Sequence, residues 1–156
     1  DIYEEITRLV EKYEISPEKL KLEITETVLM TEMKHQLELL DRLRKRGFQI
    51  EMDDFGSGYS SLNVLKDINV DVLKLDMKFL TNAADPVRSH VILKAVVHMA
   101  KDLDIPCIAE GVEQISQAEF LKKVGCEYVQ GYLYAKPMPV KDYEALVEAG
   151  GSYCKQ

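Results

Sequence analysis

Strand-like runs alternate with helix-period runs five times along this chain, and that alternation restricts it to folds built on parallel strands with right-handed helical crossovers. The strand-like runs lie at 20–25, 48–52, 70–75, 105–109 and 127–129. Before the first of them, Ile6, Leu9, Val10 and Tyr13 recur at the spacing of one helical face. A longer helix is expected over 32–46, carrying Met33, Leu37, Leu40 and Leu43 and stopping at Gly47, where a left-handed C-cap costs least. A short helix is expected over 61–66. Asp85 followed by Pro86 makes an N-cap and first-turn pair for a helix bearing Val87, Val91, Ala95, Val96, Met99 and Leu103. Ser116 with Glu119 fits a capping box, ahead of Phe120, Leu121 and Val124 and a stop at Gly125. A closing helix carries Tyr143, Leu146 and Val147. The fold class is therefore α/β, either an open sheet or a barrel of about five strand-helix units, and both place chemistry beyond the C-terminal strand ends.

The 156 residues are 46% hydrophobic and 30% charged, enough for one core, and no linker-like stretch divides them, so a single domain over 1–156 is expected. Disordered and collagen-like chains are excluded by the apolar content and by the count of only 8 Gly. No apolar run reaches the roughly 18 residues of a membrane span, and the opening residues lack a signal-peptide pattern, so a cytoplasmic segment without a membrane anchor is expected. The net charge of −7 argues against binding of DNA or RNA polymers. It permits a small phosphorylated ligand if metal ions supply the positive charge. Cys107, Cys126 and Cys154 lack metal-type spacing and read as free thiols, while His35, His90 and His98 fall in expected helices, away from strand ends.

Polar residues accumulate at those ends strand by strand: Glu23 and Glu26, Asp53 and Asp54, Lys74 and Asp76, Glu110 and Glu113, then Gln130. One carboxylate after a strand is commonly a helix cap or a solvated turn residue. Five successive strand ends converging on one mouth are harder to explain that way, because clustered carboxylates repel unless a cation sits between them. Oxygen donors without Cys or His suit a hard divalent cation, Mg²⁺ or Mn²⁺ in preference to Zn²⁺. The adjacent pair Asp53 and Asp54 suits a two-metal site, one carboxylate bridging both ions and its neighbour holding the second, of the kind used in phosphoryl transfer. Lys74 is the one cation in the set; it either pairs with a neighbouring acid or orients water or a phosphate. Phe55, Gly56, Ser57 and Gly58 form a glycine-containing loop without a phosphate-cradling GxGxxG pattern.

With these residues in hand, the chain resembles the EAL family of cyclic di-GMP phosphodiesterases. Leu22-Glu23-Ile24-Thr25-Glu26 is similar to its ExTE strand end, and Asp53-Asp54-Phe55-Gly56-Ser57-Gly58-Tyr59-Ser60-Ser61-Leu62 to its DDFGxGYSSL loop. Lys74-Leu75-Asp76, Ala109-Glu110-Gly111-Val112-Glu113, and Gln130-Gly131-Tyr132 with Pro137 resemble its KxD, AEGVE and QGY…P segments. The resemblance implies a TIM-type barrel that hydrolyses cyclic di-GMP to linear pGpG with two Mg²⁺ or Mn²⁺ ions. It implies Glu23 and Asp53 at the first metal, Asp53 bridging to the second, and Asp54 holding the second. Lys74 would position water or phosphate, and Glu110 would act as the base or as a partner of metal-bound water. Gln130 and Asp76 would line the site, Glu26 would anchor the glycine-containing loop, and Glu113 would support the site from behind.

The Glu-Ala-Leu motif that names the family, on its first barrel strand, is absent ahead of the strand-like run at 20–25, and so is the asparagine ligand of the strand that follows it. The resemblance therefore implies a partial EAL domain over 1–156 whose N-terminal strands are missing from the chain. A weak or inactive fragment is expected on that reading, with a homodimer formed across open sheet edges. The alternative is a non-catalytic module that binds cyclic di-GMP.

Overall fold

The computed structural model describes residues 1–30, 33–56, 61–77 and 85–150, with the side chains of Glu26, Met30, Ser61 and Pro86 outside that description. Five strands form one sheet: β1 Lys21–Thr25, β2 Gln49–Asp53, β3 Val72–Asp76, β4 Cys107–Glu110 and β5 Tyr128–Val129. Every neighbouring pair is parallel and the spatial order is β1-β2-β3-β4-β5, the same as the chain order. A doubly wound sheet reverses its strand order at a switch point, and this sheet has no reversal. Sequential parallel strands with helical crossovers make the wall of a TIM-type barrel. Among the described residues the helices are α1 Ile2–Lys12, α2 Glu26–Met30, α3 Met33–Arg46, α4 Ser61–Asp67, α5 Pro86–Asp102, α6 Ile115–Val124 and α7 Val140–Glu148.

Successive strand residues point to opposite faces, and the two faces differ in chemistry. On one, Ile50, Met52, Leu73, Leu75, Cys107 and Ala109 join Leu29, Leu40, Leu43, Val64, Leu93, Val97 and Leu121 from the helices in one buried cluster. Ile50, Met52 and Leu73 are fully covered, and each contributes roughly 1.5–3 kcal/mol of hydrophobic stabilisation. On the other face lie Lys21, Glu23, Glu51, Asp53, Lys74, Asp76 and Glu110, with Val72 and Ile108 between them. Val72 is buried yet stands outside the helix-packed cluster. The charged face is thus the inner wall, and the apolar face is the one the helices cover.

Several local expectations shift. The buried stripe of α5 is Ser89, Leu93, Val97 and Ala100, whereas Val87, Val91 and Leu103 are exposed. Apolar residues on two sides of this helix left its inward face ambiguous from spacing alone. Asp85 caps it as expected, accepting from the Val87 and Arg88 amides at 3.0 and 3.2 Å. The capping box of α6 is built two residues earlier than Ser116 and Glu119: Gln114 is the N-cap, and Gln117 Oε1 accepts from the Gln114 amide at 2.9 Å. The same oxygen accepts from the Glu113 amide at 2.9 Å, which fixes the exit from β4. At the opposite end of the strands, Asp71 has a structural task, accepting from the Ile50 amide at 2.8 Å and pairing with Arg44 at 3.1 Å.

Cys107 and Cys126 are buried free thiols, and Cys154 lies outside the described residues. Burial, reinforced by the nearby Cys126 and Glu127, pushes the Cys107 thiol up to about 12, and burial also raises Cys126. A thiol whose folded value is raised stabilises the fold below its unfolded value of about 8.5, and that contribution fades as pH climbs toward the folded one. Stability should therefore decline between about pH 9 and 12. In a C154S variant, a thiol reagent at pH 8 should label neither remaining cysteine until denaturant is added; prompt labelling of the native chain would contradict their burial.

Candidate active site

Four neighbouring strands deliver one cluster of charge. Period-two alternation puts Glu23 of β1, Asp53 of β2, Lys74 of β3 and Glu110 of β4 on the inner wall. The Lys74 side chain is only 6% exposed and its ammonium hydrogen-bonds Glu23, pairs with Glu110 Oε1 at 2.9 Å, and stands 3.8 Å from Asp53 Oδ1. Burial alone would lower the lysine's pKa. The hydrogen bonds to Glu23 and Glu110 and the charges of Glu110 and Asp53 outweigh it and hold the ammonium above the ordinary lysine value. Lys74 is therefore a fixed cation throughout the physiological pH range.

Beyond Asp53 the strand is broken by Asp54, whose φ of +55° lies in the left-handed region, where a short polar side chain is tolerated. Its amide donates to Asp53 Oδ1 at 2.9 Å, which turns the Asp53 carboxylate back over the strand end. The Phe55 amide donates to the Lys74 carbonyl at 3.2 Å, and the buried Phe55 ring seats the start of the loop. Asp54 itself is exposed, and among the described residues its carboxylate makes no hydrogen bond or ion pair. Gly56 takes φ +93°, while Ser57 and Gly58 lie outside the described residues, as does the side chain of Glu26 at the start of α2.

Asp76 pairs in register with Glu110, and the Met77 amide donates to the Glu110 carbonyl at 2.9 Å. The β4 and β5 exits are knitted together: the Gln130 amide donates to Ala109 at 2.8 Å, the Val112 amide to Gln130 at 3.1 Å, and the Leu133 amide to Val112 at 3.0 Å. Gly131 makes this possible, since a Cβ there would stand 2.1 Å from the Val112 carbonyl oxygen. Gln130 and Glu113 are both exposed at this exit. The geometry therefore gathers Glu23, Asp53, Lys74 and Glu110 at contact distance, holds Asp76 beside Glu110, and leaves Asp54, Glu113 and Gln130 around the rim.

Two features were not anticipated from the sequence. Glu51, inside the strand-like run at 48–52, is buried on the inner wall and pairs with Lys21 at 2.9 Å, in register beside Glu23. Its parity with Asp53 carried that signal. Gly131 is limited by backbone contact, which no local pattern encodes. As for metal, the cluster offers carboxylate oxygens alone, the donor type of hard divalent cations. Among the described residues no three acidic, His or Cys side chains gather on a common point, and the centre between Glu23, Asp53 and Glu110 is taken by the Lys74 ammonium.

The family model described as "EAL domain" matches residues 1–137. The chain is 37% identical over 148 residues to the cyclic di-GMP phosphodiesterase NbdA of Pseudomonas aeruginosa, covering 95% of this chain and 19% of that protein. Among solved structures it is similar to the EAL domain of Mycobacterium smegmatis DcpA, with a TM-score of 0.85 at 32% identity, covering 95% of this chain and 66% of that one. It is also similar to the calcium and cyclic di-GMP complex of Klebsiella pneumoniae BlrP1, with a TM-score of 0.80 at 30% identity, covering 88% of this chain and 35% of that one. The chain spans between 17% and 36% of the length of curated relatives such as NbdA. Among the described residues no helix is long and apolar enough to cross a membrane.

Proposed function

The chain belongs to the EAL domain family, and on that premise we propose that it is the partial EAL domain, over 1–156, of a cytoplasmic cyclic di-GMP phosphodiesterase that forms linear pGpG. The observation that carries this reading is the convergence of Glu23, Asp53 and Glu110 from three strands on the buried Lys74. Glu23 and Asp53 would hold one Mg²⁺ or Mn²⁺ ion, and Asp53 with Asp54 a second. Bound there, the ions would lower the pKa of water and neutralise charge on the attacking and leaving oxygens.

The protein groups divide the remaining work. Lys74, permanently charged and with little freedom in its buried stem, presents hydrogen-bond donors to a phosphate oxygen entering the mouth. Glu110, part-buried beside it, accepts the proton of the attacking water. Asp76 holds its place beside Glu110, and Gln130 offers an amide at the rim. On this reading the loop of Phe55, Gly56, Ser57 and Gly58 would cover the ligand with Glu26 as its anchor, and Glu113 would support the β4 exit.

Glu23 sits on an edge strand with its side chain 52% exposed, so water screens the cluster from that side. Slow turnover by the chain alone follows, since electrostatic stabilisation weakens in a wet site. Beside that edge runs a groove of about 480 Å³ lined by Ile2, Ile6, Leu22, Ile24 and Val28. The unpaired strand edge and this apolar strip favour self-association, and light scattering should find a homodimer.

Calorimetry tests the ligand directly. Cyclic di-GMP should bind the chain in Ca²⁺, the ion of the BlrP1 complex, and should not bind in EDTA. Equal binding in both, or none in Ca²⁺, would contradict the reading. Binding in Ca²⁺ with the nucleotide left intact in Mn²⁺ would favour the non-catalytic module instead.

A further inference from the structure

We propose that Lys74 is the internal counter-ion of the carboxylate cluster, holding Glu23, Asp53 and Glu110 together in the metal-free protein, and that divalent cations must displace its ammonium to bind. The proposal rests on the reading of Glu23 and Asp53 as metal ligands. Three carboxylates set around one ammonium repel one another unless that cation stands between them. Among the described ion pairs, Lys74 is the only cation that reaches any of the three. It reaches them from the middle strand, with its stem buried, so its ammonium has little room to leave without a rotamer change. Three negative charges against one positive leave the cluster with two in excess, which is what attracts a further cation.

Lys74 therefore acts in two opposed ways. It keeps the ligands converged before metal arrives, and it repels the metal that comes for the same oxygens. A residue that merely supported the ligands would, when removed, lower stability and metal affinity together. A counter-ion, when removed, lowers metal-free stability and raises metal affinity, and that difference in sign separates the two roles.

The test uses the full chain, without nucleotide, and Mn²⁺ as the probe. Lys74→Met keeps the stem's length and removes the charge. It should lower the metal-free unfolding midpoint and bind Mn²⁺ at least tenfold more tightly by calorimetry, so that Mn²⁺ raises its midpoint more than it raises that of the wild type. Lys74→Arg keeps the charge and should stay near the wild type in both. If Lys74→Met does not fold without metal, Lys74→Gln, which keeps a donor without the charge, gives the same comparison. Mn²⁺ binding to the neutral variants that is equal to or weaker than wild type would overturn the proposal while leaving the metal site standing. Absence of saturable Mn²⁺ binding in the wild type would overturn the metal reading itself, and this proposal with it.

Discussion

Replacing Asp53 by asparagine should lower cyclic di-GMP hydrolysis by about 10³-fold while leaving the chain folded. Asp53 is the one acidic group that the reading asks to serve both metals. Losing it removes about 4 kcal/mol of transition-state stabilisation, where each tenfold in rate is about 1.4 kcal/mol. Asparagine keeps the Oδ1 that accepts from the Asp54 amide, so the strand end should not reorganise. Glu23 and Glu110 still face Lys74, and the lost contact with Lys74 is the longest of the three at 3.8 Å. The change in stability should therefore stay within about 1 kcal/mol. Steady-state kinetics with a thermal unfolding curve for each protein separates the two effects. An Asp53→Asn protein with wild-type kcat would remove Asp53 from the metal site, and one that unfolds would show its role to be structural.

Gly131→Ala should have the largest effect on stability. The added Cβ would lie 2.1 Å from the Val112 carbonyl oxygen, 2.4 Å from its nitrogen and 2.7 Å from its carbonyl carbon. These are backbone atoms, and Val112 is fully buried, so no flexible side chain can yield. The two hydrogen bonds through Val112, from its amide to Gln130 and from Leu133 to its carbonyl, must stretch or break. Overpacking against fixed atoms with such losses costs about 3 kcal/mol or more. For a domain of this size that is a drop of roughly 6–12 °C in midpoint. Gly125→Ala is the control: its φ of +85° is unfavourable to alanine, but a Cβ there meets nothing within 4 Å. It should cost only about 1–2 kcal/mol. Similar midpoints for the two variants would mean that backbone crowding at Gly131 is absorbed by movement of the β4 and β5 exits.

What could be read from the sequence divides along physical lines. The five strands and their parallel order follow from short apolar runs separated by helix-period segments, and the structure has the same five. The strand-end acids were also legible, because Asp53, Asp76 and Glu110 each follow the last apolar residue of a strand and Glu23 stands one residue before it. Which of them meet was not. Asp53 and Asp54 are adjacent and chemically alike, yet one turns to Lys74 and the other sits in a left-handed turn, exposed. That choice is made by backbone dihedrals. The α5 face was obscured because Val87 and Val91 are apolar but exposed, leaving two competing stripes. Glu51 was obscured for the opposite reason: it is polar but buried, in an ion pair with Lys21 on a different strand. The crowding at Gly131 depends on Val112, which joins it only through the pairing of two strand exits.

Carboxylates converging at the strand ends should cut a cyclic dinucleotide with the help of divalent cations. Chromatography of cyclic di-GMP after prolonged incubation with the chain reads this out. Linear pGpG should accumulate slowly with Mn²⁺ or Mg²⁺, and should be absent in EDTA and with Asp53→Asn. Cyclic di-GMP that stays intact with the wild-type chain in Mn²⁺, or product that forms equally in EDTA, would contradict it.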